Sequence, residues 1–169
     1  MTTKQTLLIV DDNPYVAGIL SQTLRTDFTV TVASTGQDAL HLLTQGNRFD
    51  CVLTELNLPN VGGLELTQFI RTSPALRHTP IVVLSDAADS DTRIRCLEQG
   101  VDGYVAKPFN PLEVKARLRA VLRRTVLPVE APQPRSLPVQ LIPAGTLTGQ
   151  FKSRILSLFQ REFDLSQSA

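Results

Sequence analysis

The apolar residues of this chain follow two alternating rhythms. Continuous runs such as Leu7, Leu8, Ile9, Val10 and Ile81, Val82, Val83, Leu84 suit strands buried on both faces of a parallel sheet. Between them, apolar residues recur at helical spacing: Val16, Leu20 and Leu24; Ala39, Leu42 and Leu43; Leu64, Phe69 and Ile70. Val30 with Val32, and Val52 with Leu53, mark two more strands, and Tyr104, Val105, Ala106 a short fifth. The pattern predicts helices from about Pro14, over residues 91–99 and over 111–124, the last with proline in its first turn, where no N–H is needed. Five strand–helix repeats within residues 1–124 make one α/β domain around a parallel sheet.

The rhythm stops after Arg124. Pro128, Pro132, Pro134, Pro138 and Pro143 exclude both helix and regular sheet pairing, so residues 125–149 read as a linker or a strap along the domain. Residues 150–169 read as an amphipathic helix and tail, with Phe151, Ile155, Leu158, Phe159 and Phe163 near helical spacing. So short a helix cannot form a core alone. It must pack on the first domain, on a second copy, or on another protein.

Charge narrows the function. The 169 residues carry 17 Lys plus Arg and 16 Asp plus Glu, a formal net charge of +1, which argues against a generally basic nucleic-acid binder. The balance is uneven: residues 1–110 hold eight basic and twelve acidic side chains, and residues 111–169 nine and four. No apolar run approaches the roughly 20 residues of a membrane span. The N-terminus meets Asp11 and Asp12 before a signal-peptide core could develop, so a cytoplasmic protein is expected. Cys51 and Cys96 have no His or Cys partner nearby in sequence and read as buried thiols.

Ligands of a parallel α/β sheet gather at the carboxyl ends of its strands. Here those ends carry Asp11 and Asp12 after the first strand, Glu55 after the third, Ser85 after the fourth and Lys107 after the fifth. Three carboxylates, a hydroxyl and an ammonium would share one cleft. Clustered carboxylates repel unless a cation compensates, and hard oxygen ligands with waters suit Mg²⁺.

Four segments, IVDDN, LTELNLPNVGG, VVLSD and GYVAKPF, stand in that order at strand–helix spacing. With them, residues 6 to about 124 resemble the receiver domain of bacterial response regulators. The resemblance implies a flavodoxin-like, doubly wound sheet of order 2-1-3-4-5 and a non-enzymatic module that accepts a phosphoryl group from a histidine kinase on an aspartate, using Mg²⁺. Carried onto this chain, Asp12 would be a direct metal ligand, Asp11 would act through water, and Asn57 would offer its backbone carbonyl. Lys107 would hold the acceptor carboxylate or its phosphate, Ser85 would swing to the phosphate, and Tyr104 would move inward with it.

Two departures change what the resemblance implies. At the acceptor position stands Glu55, in a frame fixed by Pro59 four residues on and Gly63 eight residues on. The extra methylene spoils a geometry that in-line transfer needs within about an ångström. The longer carboxylate would instead reach Ser85 and Lys107 and imitate part of a phosphate's charge, or be the vestige of a domain kept as a scaffold. Mg²⁺ binding would then be weak, with Glu55 beside Asp11, Asp12 and Asn57. The second departure is Asp86, where the family has a small residue; its carboxylate would repel a phosphodonor.

An output face is expected on the fourth helix, fifth strand and fifth helix, at Arg93, Arg95, Asp102, Glu113, Arg117 and Arg119. This stretch is similar to that of receivers attached to winged-helix transcription factors, which implies a homodimer made by charge pairs. A histidine kinase or a downstream signalling protein would be the other partner. Two further classes have a foothold. Arg117, Arg119, Arg123, Arg124, Lys152, Arg154 and Arg161 could contact nucleic-acid phosphates, but no reading motif accompanies them. A Mg²⁺-dependent phosphohydrolase would want an Asp nucleophile at a strand end, where Asp11 sits.

Overall fold

In the computed structural model, residues 3–87 and 89–126 are described. They form five strands and five helices in strict alternation: β1 Gln5–Val10, α1 Pro14–Leu24, β2 Phe28–Ala33, α2 Gly36–Thr44, β3 Cys51–Glu55, α3 Gly63–Thr72, β4 Ile81–Ser85, α4 Ser90–Glu98, β5 Gly103–Ala106 and α5 Pro111–Val126. All pairings are parallel and the strand order is β2-β1-β3-β4-β5, the flavodoxin-like order expected. Helix α4 starts one residue earlier than its periodicity predicts, because Asp89 caps it by accepting from the Thr92 N–H at 2.7 Å. The expected proline-rich segment and terminal helix lie outside the described residues.

The continuous apolar strands are explained by two cores. Leu8, Val10, Val52, Ile81 and Val83 face one side, against Ala39 and Leu43 of α2, Leu66 and Ile70 of α3, and Cys96 of α4. Leu7, Ile9, Leu53, Val82 and Leu84 face the other, against Leu20 and Leu24 of α1 and Val114, Leu118 and Val121 of α5. With helices on both faces, every position of β3 and β4 is buried, so no polar alternation appears in their sequence. Strand order reverses between β1 and β3, the two strands that deliver Asp11 and Glu55 to the same edge.

Two ion-paired staples tie this scaffold together away from that edge. Arg71 of α3 donates to the carbonyls of Gly100, Arg77 and Thr79, and its Nη2 lies 2.8 Å from Asp102 Oδ2. Asp27, after α1, pairs with Lys115 at 3.2 Å and with Arg119, both on α5.

Candidate functional site

The end of β1 sets two carboxylates at different depths. Asp11 is 2% exposed; its Oδ1 accepts from the Asn13 N–H at 2.8 Å, while Oδ2 is buried with no hydrogen-bond partner among the described residues. Burial pushes the Asp11 carboxyl above its ordinary range. The Asn13 N–H and the Lys107 charge oppose this, and the Glu55 and Asp12 charges add to it. Asp12 is exposed at the mouth. Asn13 caps α1 by accepting from the Tyr15 and Val16 N–H groups, with Pro14 in the first turn, so the helix begins directly beside the acidic pair.

At the end of β3, Glu55 is 3% exposed. Its Oε1 accepts from the Asn57 N–H at 3.1 Å, and its Oε2 forms an ion pair with the Lys107 ammonium. The following loop folds tightly because Gly63 donates to the Leu56 carbonyl at 2.9 Å. A Cβ at Gly63 would stand 2.6 Å from the Glu55 carbonyl oxygen and push α3 away from the site.

Lys107 follows β5, and its N–H donates to the Ser85 carbonyl at 2.8 Å. The Lys107–Pro108 peptide is cis. Burial works to lower the Lys107 pKa, but the Glu55 bond and charge, then Asp11 and Asp86, outweigh it, so the ammonium is held above its ordinary value. Ser85 is fully buried, and its Oγ accepts from the Ala87 N–H at 3.0 Å. No hydrogen bond joins Ser85 to Glu55. The glutamate turns to the positive charge and the Asn57 N–H, which satisfy an ionised carboxylate better than a neutral hydroxyl does. Half-buried Tyr104 donates its hydroxyl to the Ala87 carbonyl.

Asp12, Asn13, Pro14, Tyr15, Glu55, Asn57, Asp86 and Lys107 line one open cleft of about 550 Å³. Its donor set fits Mg²⁺, which commonly keeps several waters and takes only one or two carboxylates. The orphaned Asp11 Oδ2 is the observation that asks for a cation. Asp11, Asp12 and the Asn57 carbonyl would hold it, and when bound it would neutralise the carboxylate cluster. Among the described residues no group of three His, Cys, Asp or Glu side chains forms a ready metal cage, so waters would complete the shell.

The expected output-face residues are divided by their contacts. Arg93 and Arg95 on α4, and Glu113 and Arg117 on α5, are exposed. Asp102 lies just before β5, and its Oδ2 is taken by Arg71 and by the Ile81 N–H at 2.8 Å. Arg119 is occupied by Asp27. Sequence reasoning missed Tyr15, which is 81% exposed at the cleft mouth; its place straight after the capping Asn13-Pro14 pair was the available signal. The Arg71 staple had none, since its partners are scattered along the chain. His41 and His78 are exposed, and Cys51 and Cys96 are buried free thiols, with Cys51 pushed up by burial to about 12. No helix of the described residues is long and apolar enough to cross a membrane.

Comparison with known proteins agrees with this geometry. Residues 7–119 match the family model of the response regulator receiver domain. The chain is 37% identical over 120 residues to the transcriptional regulatory protein SrrA of Staphylococcus aureus, which covers 70% of this chain and 48% of SrrA. It thus spans about half the length of the curated relatives it matches. The chemotaxis response regulator CheY4 of Vibrio cholerae superposes with a TM-score of 0.66 at 29% identity, over 70% of this chain and 99% of CheY4. The receiver domain of the sensor histidine kinase PA1611 from Pseudomonas aeruginosa PAO1, solved with a magnesium ion coordinated in its active-site cleft, superposes with a TM-score of 0.65. Its identity is 30%, over 72% of this chain and 99% of that domain. A parallel sheet of order 2-1-3-4-5, strand ends that bring Asp12, Glu55 and Lys107 to one cleft above buried Asp11 and Ser85, and a family match over residues 7–119 make this chain a member of the response regulator receiver domain family of two-component systems.

Proposed function

We propose that this receiver signals by protein contact, in the cytoplasm, without accepting a phosphoryl group and without turning over a substrate. The observation that carries the reading is the state of Glu55. Its two oxygens are met by the Lys107 ammonium and the Asn57 N–H, the donors that an incoming phosphoryl group would otherwise engage. The carboxylate is nearly enclosed, and its added methylene takes the oxygens away from an aspartate's position. One carboxylate supplies about −1 where a phosphate supplies nearly −2, so the imitation is partial.

A constitutively engaged state is favoured over a vestigial scaffold. The engagement is partial: Lys107 is already drawn to the acceptor position and Tyr104 is turned to the Ala87 carbonyl, while the Ser85 hydroxyl stays on the Ala87 N–H. Partners would meet the chain at the face of α4, β5 and α5: a second copy, a downstream signalling protein, or a histidine kinase whose input no longer depends on transfer.

Intact-mass spectrometry after incubation with acetyl phosphate and Mg²⁺, on wild type and Glu55→Asp, tests this. Wild type should gain no phosphoryl mass and the variant should gain one. A phosphorylated wild type would refute the proposal and return kinase control as the mechanism.

A further inference from the structure

We propose that a second cavity, between the loop after β3 and the first turns of α4, binds a small zwitterion, an apolar amino acid or a dipeptide of such residues, and that its occupancy is the input this receiver reads in place of a phosphoryl group. The input role rests on the reading of Glu55 as a silenced acceptor. The binding site does not, because Glu55 is not in its wall.

The cavity holds about 340 Å³, at the small end of ligand pockets of about 300–1,000 Å³. Leu56, Leu58 and Leu64 give it an apolar lining. The wall is fixed by packing: a Cβ at Gly36 would stand 2.1 Å from the Val61 carbonyl oxygen, so the loop after β3 lies directly on α2. Two opposite charges face this lining. Glu65, in the first turn of α3, folds its carboxylate back over Gly62, where an added Cβ would meet Glu65 Oε2 at 2.7 Å. Arg95 enters from α4, three residues after Thr92, which lines the same cavity. Among the described residues neither Glu65 nor Arg95 is in an ion pair, and the Asp89 carboxylate is taken up by the Thr92 N–H.

That pairing of charges selects the ligand. An anion alone would be repelled by Glu65 and a cation alone by Arg95. A molecule carrying both an ammonium and a carboxylate gains a charge-assisted hydrogen bond at each end, and an apolar side chain buries against the leucines. Ala87 connects the cavity to the switch residues. It lines the wall, its N–H donates to Ser85 Oγ at 3.0 Å, and its carbonyl accepts from the Tyr104 hydroxyl. A ligand resting on Ala87 therefore acts on both hydroxyls at once, with no phosphate in the acceptor cleft.

Calorimetric titration of the full chain with leucine and with leucyl-leucine tests the site. At least one should bind with a Kd of about 1 mM or tighter. Leucinamide, which lacks the carboxylate, and 4-methylpentanoate, which lacks the ammonium, should each bind about tenfold more weakly than leucine. Arg95→Met and Glu65→Gln should each weaken binding of the zwitterion by a similar factor. Arg93→Met, on the same helix but outside the cavity, should leave it within about twofold. Tyr15 and Tyr104 are the only tyrosines of the chain, so in Tyr15→Phe the bound ligand should change the fluorescence of Tyr104. No binding of either ligand at about 10 mM, or binding that neither Glu65→Gln nor Arg95→Met weakens, would overturn the site. Binding that leaves Tyr104 fluorescence unchanged would overturn the input role. Titration of Glu55→Asp separates this from the acceptor reading: its Kd should match wild type, whereas phosphorylation of wild type by acetyl phosphate would sink the silenced acceptor and leave the site standing.

Discussion

Replacing Lys107 by Met isolates what the ion pair at the strand ends contributes. Met fills a similar volume but leaves Glu55 Oε2 buried without a counter-charge, with only the Asn57 N–H remaining to the carboxylate. Breaking a buried pair by removing one partner costs about 3–5 kcal/mol. Lys107 is 19% exposed on its side chain and faces an open cleft, so water returns part of that, and about 2–3 kcal/mol is expected at pH 7. Urea unfolding at pH 7, in EDTA, measures the effect. Glu55→Gln and Lys107→Met/Glu55→Gln complete a double-mutant cycle, in which the double variant should recover most of the loss. A loss below about 0.5 kcal/mol, with no coupling in the cycle, would refute the account of Glu55 as a carboxylate held by Lys107.

Two further outcomes are expected. Asp11→Asn should stabilise the fold in EDTA at neutral pH, by a few degrees in Tm, because burial already disfavours the ionised form. A carboxyl with a raised folded pKa loses stability as pH rises through its ordinary value, so the gain should vanish below about pH 4; an equal gain at pH 3 would contradict it. On α4, Ile94 and Leu97 are 50% and 49% exposed beside Arg93 and Arg95, and a homodimer through this face should form at tens of micromolar without phosphorylation. Sedimentation velocity should show it, with Ile94→Asp restoring the monomer; a wild type that stays monomeric throughout that range would rule it out.

The strand runs, the helix faces and the order of elements were legible because burial on both sides of a parallel sheet leaves a periodic imprint on the chain. Leu20 and Leu24, or Ala39 and Leu43, announce their faces by spacing alone. The departure at Glu55 was equally plain, since Pro59 and Gly63 fix its frame. Spacing along a chain does not report the direction of a side chain, and there the tertiary structure decided. Ser85 and Glu55 stand at neighbouring strand ends, yet the hydroxyl turns to the Ala87 N–H and the carboxylate to Lys107. Asp102 looked like an outward charge until Arg71, 31 residues away, claimed it. Both outcomes come from charges choosing among partners that only folding brings within reach. The identity of each group is local to the sequence, and the field that orients it is a property of the whole sheet.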